Sequence, residues 1–257
     1  MKEKIYTIPL MDAFHANDEC PFCFIERNLE QHVLDFVLGQ GASYMEDDIR
    51  AETDKMGFCR DHYKKMFHYG NRLGTGLILT THFKKKNEEL QQQIKMFSPK
   101  KASMLGHFKK AKLNPDNPQT SLGTWVKEQN NSCYICDYSK NTYARYLDTF
   151  FELYRKNKEF QEIFKNSNGF CLPHFGDLVE TAEELLSDKE KAEFYPQLFS
   201  LMTENLQRVT DDLAWFCDKF DYKNKDADWK TSKDAIQRGM QKSAGSYPAD
   251  PFYQSER

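Results

Sequence analysis

The chain has 257 residues and seven cysteines, with 36 basic and 39 acidic side chains and a formal net charge of −3. Charged residues make up 29% of it and aromatic residues 14%, which is typical of a globular protein with an aromatic-rich core. No apolar run approaches the roughly 18 residues of a membrane-spanning helix, so we expect a cytoplasmic protein. The near balance of charge argues against a uniformly basic surface for nucleic acid.

The first part of the chain has mostly helical periodicity. Residues 1–19 are predicted to be a partly extended lead-in. Apolar residues at helical spacing predict one helix over residues 25–37 and a second over residues 42–56. Helical spacing resumes after His62 and continues to about Met96, with a kink or close helix contact at its glycines.

The second part repeats this plan after a boundary rich in proline and asparagine at residues 98–124. One helix is predicted over residues 143–154 and a shorter one over residues 160–164. A long helix is predicted from Pro196 to Tyr222, because proline suits the first turn of a helix. The residues that follow are expected to form one amphipathic segment and a mobile tail.

Cysteine spacing is the strongest signal in the sequence. Six of the seven cysteines fall into two sets of the same pattern, in which 35 or 34 residues separate a C-x2-C from a C-x2-H, with Gly-Phe before the third cysteine. Each member is offset from its counterpart by 112 or 113 positions, which predicts an internal duplication. The candidate metal ligands are Cys20, Cys23, Cys59 and His62 in the first copy and Cys133, Cys136, Cys171 and His174 in the second.

The spacing within each pair of ligands suits metal coordination. Two ligands three residues apart, on a tight turn or in the first turn of a helix, lie close enough to bind one ion. Three thiolates and one imidazole complete the closed tetrahedron typical of structural zinc, so we predict two zinc ions. The glycine before each Phe-Cys pair is expected to have a positive φ or to allow close backbone approach, and the phenylalanine is expected to form a buried wall beside the metal.

We expect the ligand pairs to combine within each copy. Joining pairs that are 35 residues apart costs about 1 kcal/mol less chain entropy than joining pairs about 150 residues apart. Each copy would then be a helical hairpin whose ends are pinned by one ion. Exchange of equivalent pairs between the two copies is the alternative.

Three other uses of these residues are weighed against structural zinc. Three thiolates and a histidine also bind iron–sulfur clusters, which serve electron transfer or oxygen sensing. The first C-x2-C resembles the active site of a glutaredoxin or thioredoxin, but its helical surroundings do not suit that fold. A zinc enzyme with one open site would need a nearby acid–base residue such as Asp61 or Glu19.

The remaining cysteine and five of the histidines are predicted not to bind metal. Cys217 lies in an apolar run, which favours packing in the core. Five histidines have no counterpart in the other copy and are predicted to be ordinary surface or core residues. They are His15, His32, His68, His82 and His107.

A lysine-rich segment lies between the two copies. Residues 84–112 contain nine lysines and two glutamates, a charge that suits an acidic partner such as nucleic acid. A solvated helix face is favoured, because neither base-reading residues nor a DNA-binding framework accompanies these lysines.

Two further segments accompany the paired motifs, Asp-Lys-Phe-Asp-Tyr at residues 218–222 and Ser-Lys-Asp-Ala at residues 232–235. Together with the motifs they resemble an uncharacterised family of domains of unknown function from anaerobic Firmicutes, over nearly the whole chain. The resemblance supports the metal ligands and an all-helical fold, and it implies no activity.

The sequence predicts an all-α protein of two pseudo-repeats, each pinned by a Cys3His metal site, with a long C-terminal helix. The predicted organisation is a first repeat at residues 1–97, a linker at 98–124, a second repeat at 125–222 and a C-terminal helix with a mobile tail at 223–257. There is no glycine-rich phosphate loop, nucleophile elbow or H-E-x-x-H motif. We therefore favour a non-catalytic interaction or regulatory function through an unknown protein partner.

Overall fold

A computed structural model describes residues 5–41, 43–99 and 116–246 of the chain. These residues form α-helices joined by turns and contain no β-strand, so the prediction of an all-α fold is confirmed. The helices are α1 (Thr7–His15), α2 (Pro21–Leu38), α3 (Asp47–Met56), α4 (Arg60–Tyr69), α5 (Arg72–Met96), α6 (Ser121–Asn130), α7 (Tyr134–Lys156), α8 (Lys158–Lys165), α9 (Leu172–Leu185), α10 (Asp188–Asp218) and α11 (Ala235–Ala244).

The chain is divided into two compact units. Within the described residues, the first unit comprises residues 5–30 and 140–246, and the second comprises residues 31–41, 43–99 and 116–139. The units do not coincide with the two copies of the cysteine motif. Each unit contains the C-x2-C of one copy and the C-x2-H of the other.

Aromatic rings fill the core of the first unit. Phe150 on α7 is fully buried at the centre of this core, and its neighbours lie at ring-centroid distances of 5.1–6.4 Å. Such rings bury roughly 150–250 Å² each. Because they come from elements that are distant in the sequence, their packing holds these elements together. The rings around Phe150 are those of Phe14, Phe22, Phe151, Tyr154, Phe160, Phe164, Phe170 and Phe194.

The N-terminal segment is helical, and the prediction of a partly extended lead-in is wrong. Helix α1 begins at Thr7 and includes Pro9 in its first turn, where a missing peptide N–H breaks no intrahelical hydrogen bond. The helix buries Leu10, Ala13 and Phe14. Packing against the aromatic core therefore overrides the weak local preference for an extended backbone.

Helix α10 begins earlier than predicted. Ser187 and Glu190 form a capping box, in which each side chain binds the backbone N–H of the other residue. The helix therefore begins at Asp188, and Pro196 lies in its interior rather than in its first turn. It ends at Asp218, before the predicted end at Tyr222.

A glycine separates α4 from α5 in the second unit. Gly70 has a φ of 92°, in the left-handed region that favours glycine. Asn71 accepts a hydrogen bond from the N–H of Gly74 and donates one to the carbonyl of Leu38, at 2.8 Å each. The predicted interruption occurs at Gly70, and α5 continues through Gly74 and Gly76.

No helix among the described residues is long and apolar enough to cross a membrane. Part of the predicted linker and lysine-rich segment, including His107, falls at residues 100–115, outside the described residues. The predicted mobile tail from residue 247 onward also lies outside them. Helix α11 coincides with the predicted amphipathic segment.

Candidate metal centres

The candidate ligands of the cysteine motifs lie in two tight groups. Within each group the sulfur and nitrogen atoms all lie within 4.8 Å of one another, so each group can hold a metal ion. Site 1 is formed by Cys20, Cys23, Cys171 and His174, and site 2 by Cys59, His62, Cys133 and Cys136.

Each site combines ligands from both copies of the motif. Site 1 joins the first C-x2-C to the second C-x2-H, and site 2 joins the second C-x2-C to the first C-x2-H. The prediction that the ligands pair within each copy, and so pin the hairpin of that copy, is therefore wrong.

Pairing between the copies costs little additional chain entropy, because the two connections are nested. Once site 2 joins the ends of residues 63–132, site 1 closes only the segments 24–58 and 137–170, of 35 and 34 residues. Each doubling of loop length costs only about 0.6 kcal/mol, so the remaining penalty is small. Burial of one Phe side chain contributes about 1.5–3 kcal/mol. Packing between the copies, such as that of Phe22 on Phe170 at 5.7 Å, outweighs the penalty.

All four ligand pairs lie at helix N-termini. In each pair the first ligand directly precedes a helix and the second lies in the first turn; the helices are α2, α4, α7 and α9. The partial positive charge at a helix N-terminus stabilises a thiolate. Peptide N–H groups add to this effect, since His174 donates to Sγ of Cys171 and Cys136 donates to Sγ of Cys133, each at 3.5 Å.

The ligand atoms of site 1 are close together. Sγ of Cys171 lies 3.8 Å from Sγ of Cys20 and 3.6 Å from Sγ of Cys23. Nδ1 of His174 lies 3.3, 3.5 and 3.1 Å from Sγ of Cys20, Cys23 and Cys171, respectively. Bonds of about 2.3 Å to sulfur and about 2.0–2.1 Å to nitrogen at tetrahedral angles give separations of about 3.8 Å and about 3.5 Å. The four residues therefore fit one small tetrahedral ion.

Site 1 is enclosed by the core of the first unit. Its three cysteines are 0% exposed and His174 is 3% exposed. The ring of Phe22 lies 5.8 Å from the imidazole of His174, and the ring of Tyr143 lies 5.3 Å from it. Nε2 of His174 lies 3.2 Å from a carboxylate oxygen of Glu26. This contact orients the imidazole so that Nδ1 faces the three sulfur atoms.

Site 2 has the same ligand types but lies closer to the surface. Nδ1 of His62 lies 3.2 Å from Sγ of Cys59 and of Cys133, and 3.4 Å from Sγ of Cys136. The sulfur atoms of Cys59 and Cys136 are 3.8 Å apart. His62 and Cys133 are buried, whereas Cys59 is half-buried and Cys136 is exposed.

Contacts among the ligands shift their pKa values. Burial raises the pKa of Cys133, but hydrogen bonding to His62 and backbone N–H groups outweighs it and lowers the pKa to about 6. Burial lowers the pKa of His174, but its contacts with the sulfurs of Cys171, Cys20 and Cys23 outweigh this effect and raise the pKa. Both shifts favour sulfur in the thiolate form, which is the form that binds metals. Burial and the neighbouring sulfurs of Cys133 and Cys59 instead raise the pKa of Cys136, so a bound cation is needed to hold all three sulfurs of site 2 as thiolates.

The glycine of each Gly-Phe-Cys motif has a positive φ, as predicted: 63° at Gly57 and 74° at Gly169. The carbonyl of Gly57 accepts a hydrogen bond from the N–H of Tyr134 at 3.0 Å, which joins the two ligand pairs of site 2. A Cβ atom on Gly57 would lie 2.6 Å from the ring of His82. His82 is itself held by the carbonyl of Asp54, 2.9 Å from Nδ1.

Gly57→Ala is expected to lower the free energy of unfolding by about 1–3 kcal/mol, because the backbone conformation there strongly favours glycine. Urea unfolding followed by circular dichroism measures the change. Gly76→Ala is the matched control, since Gly76 lies within α5 and a Cβ atom there would meet nothing within 4 Å. The control is expected to stabilise the protein by up to about 1 kcal/mol. Equal effects of the two substitutions would contradict the assigned role of Gly57.

The family assignment follows from the whole-chain comparison. A model of a family of unknown function, DUF6062, matches residues 1–250, a range that includes all eight candidate ligands. The chain belongs to this family. The predicted resemblance to an uncharacterised family is therefore confirmed. Searches among curated proteins and among solved structures found no match.

Cys217 is not a core residue of the DUF6062 chain. It lies in the last turn of α10 and is exposed, so the prediction of core packing is wrong. The apolar run around it covers more than one face of the helix, and only Val209 and residues before it form the buried stripe on α10. Cys217 is also outside both groups of candidate ligands.

Glu19 is one of the two acid–base residues considered for a zinc enzyme. It is buried, and its carboxylate lies 2.6 Å from Arg208 and 3.2 Å from Lys242. Asp61, the other acid–base residue considered, lies in the first turn of α4 and is exposed. Glu19 is therefore held in ion pairs with basic residues next to site 1.

Two residues outside the predicted ligand set support site 1. Glu26 follows Cys23 by three residues on α2, so helical spacing carried a signal for its position near the ligands. Lys242 on α11 is 2% exposed, and its ammonium group donates to the carbonyls of Glu19 and Asn168. These carbonyls lie just before the two ligand pairs of site 1, and no local pattern links Lys242 to them.

Proposed function

We propose that this protein is a non-catalytic cytoplasmic module in which each unit is stabilised by one structural zinc ion, and that it acts by binding a protein partner. The observation that most supports the proposal is the closed ligand set of each site. Three sulfur atoms and one nitrogen atom at tetrahedral separations leave no coordination position for a substrate or a catalytic water.

Ligand spacing favours zinc over an iron–sulfur cluster. In a four-iron cluster each protein ligand binds a different iron, so the ligand atoms lie farther apart than they do around one ion. The sulfur–sulfur distances of 3.6–3.8 Å in the two sites suit a single ion. Zinc accepts a tetrahedral set of three thiolates and one imidazole without a further ligand.

The surface of the second unit supports an interaction role. Phe67 on α4 and Leu73 and Phe83 on α5 are each at least 65% exposed. Large exposed apolar side chains lose contact with water when a partner binds, which favours association. One cleft, of about 480 Å³, contains none of the candidate ligands and so gives little support to an enzyme. It is lined by Asp35, Leu38, Gly39, Gln40, Tyr69, Gly70 and Asn71.

Metal analysis tests the proposal. Protein purified without oxygen is expected to be colourless and to contain two zinc ions per chain, one for each group of ligands. Inductively coupled plasma mass spectrometry and protein quantification give this ratio. A brown preparation that contains iron and acid-labile sulfide would support the cluster alternative. Folded protein without any bound metal would contradict both assignments.

A further inference from the structure

The two metal sites have the same four ligand types but differ in their access to solvent. All three cysteines of site 1 are fully buried. In site 2, by contrast, Cys136 is exposed and Cys59 is half-buried. Oxidation of a thiolate depends on its exposure as well as on its charge. The sites therefore differ in one of the two properties that govern reaction with a dissolved oxidant.

We propose that site 2 is a site of reversible oxidation, at which a peroxide converts Cys59 and Cys136 to a disulfide and zinc is released, while site 1 keeps its ion. This inference rests on the proposed binding of zinc. It adds a redox-dependent state of the second unit to the structural function proposed above.

Solvent exposure together with a short sulfur–sulfur distance favours this pair of cysteines in site 2. The sulfur atoms of Cys59 and Cys136 are 3.8 Å apart, and a disulfide requires about 2.05 Å. Each residue lies at the N-terminal end of a helix, α4 or α7, so a small movement of the side chains can close the distance once the ion leaves. Cys133, the third sulfur ligand of this site, is 4% exposed and is less accessible to an oxidant.

The reaction balances with a peroxide as the oxidant. The thiolate of Cys136 attacks one oxygen of hydrogen peroxide, the O–O bond breaks, and sulfenic acid and hydroxide form. The thiolate of Cys59 then attacks the sulfur of Cys136, a disulfide forms, and a second hydroxide leaves. Two protons from solvent convert the hydroxides to water. The two thiolates lose two electrons in total, and the peroxide gains them.

Loss of two thiolates removes the basis for zinc binding at site 2. His62 and Cys133 then remain as the only ligands of this set, and two ligands do not complete a tetrahedral site. Zinc therefore leaves as the divalent ion. A thiol reductant attacks the disulfide, restores both thiolates and allows zinc to bind again.

The test uses the intact zinc-loaded protein and hydrogen peroxide. Zinc release is followed with a colorimetric chelator, and free thiols are alkylated and located by mass spectrometry. We expect one zinc ion per chain to be released, a Cys59–Cys136 disulfide to form, and the site 1 cysteines to react at least about tenfold more slowly. Site 1 is an internal control, because its ligand types are the same and its exposure differs.

Two variants sharpen the test. Cys217→Ser removes the other exposed cysteine and is expected to leave zinc release unchanged. Cys136→His keeps a metal ligand at this position but prevents the disulfide, so peroxide is expected to release zinc from site 2 at least about tenfold more slowly. If this variant fails to fold, the cysteine mapping on the unmodified chain still decides the question.

Three results would overturn the proposed oxidation site. They are equal rates of zinc loss from both sites, retention of both ions under peroxide, and a disulfide that joins Cys133 to Cys136 instead. Zinc content is measured before peroxide is added. A preparation without zinc at that stage contradicts the proposed function, whereas a preparation with two zinc ions that resists peroxide contradicts only the oxidation site.

Discussion

Chains with two substituted ligands are expected to retain one zinc ion or none, depending on which two cysteines are changed. Cys20→Ser with Cys171→Ser removes two ligands of site 1 and leaves site 2 complete, so one zinc ion is expected. Cys20→Ser with Cys59→Ser removes one ligand from each site, so neither ion is expected to bind tightly. Native mass spectrometry of the intact chain counts the ions.

This comparison separates the two possible pairings directly. Under pairing within each copy, Cys20 and Cys59 would share one site, and the two double variants would exchange their zinc contents. Cys217→Ser is the control and is expected to retain both ions, because its thiol lies outside both groups of ligands. One retained ion in Cys20→Ser with Cys59→Ser, and none in Cys20→Ser with Cys171→Ser, would show that the nested pairing is incorrect.

Loss of site 1 is expected to destabilise the protein more than loss of site 2. Cys171→Ser is expected to lower the free energy of unfolding by about 4 kcal/mol or more, because the binding energy of a structural ion contributes to folding. Cys171 is fully buried beside the aromatic core, and the loss of zinc would leave the imidazole of His174 buried without its metal. Cys136→Ser, at the exposed ligand of site 2, is expected to cost about 1–2 kcal/mol.

Urea unfolding at a fixed zinc concentration gives the two free energies. Hydrogen exchange adds a local test, since faster exchange is expected mainly in the first unit for Cys171→Ser and in the second unit for Cys136→Ser. If Cys171→Ser does not fold, titration of the unmodified protein with a chelator replaces it. Site 2 is then expected to lose its ion first, with a smaller fall in thermal stability than follows loss of the second ion. Equal costs at the two sites would contradict the importance assigned to burial.

Spacing in the sequence was sufficient to predict the local structure of the ligand pairs. A helix begins directly after the first ligand of each pair, as at Cys171, and brings the next ligand, His174, into its first turn. Local backbone rules also predicted the positive φ of Gly57 and of Gly169, and apolar periodicity predicted a helical protein. These features depend on residues that are close together in the chain, so one sequence contains the information to predict them.

Only the tertiary structure decided which ligand pairs combine and how far each site is exposed. The two pairings differ by only about 1 kcal/mol in chain entropy, less than the burial of a single Phe side chain contributes. Contacts such as those of Phe14 and Phe22 with Phe150 therefore determine the pairing, and they join residues more than 100 positions apart. The burial of Cys171 and the exposure of Cys136 have the same origin, because solvent access depends on the packing of distant helices rather than on the motif.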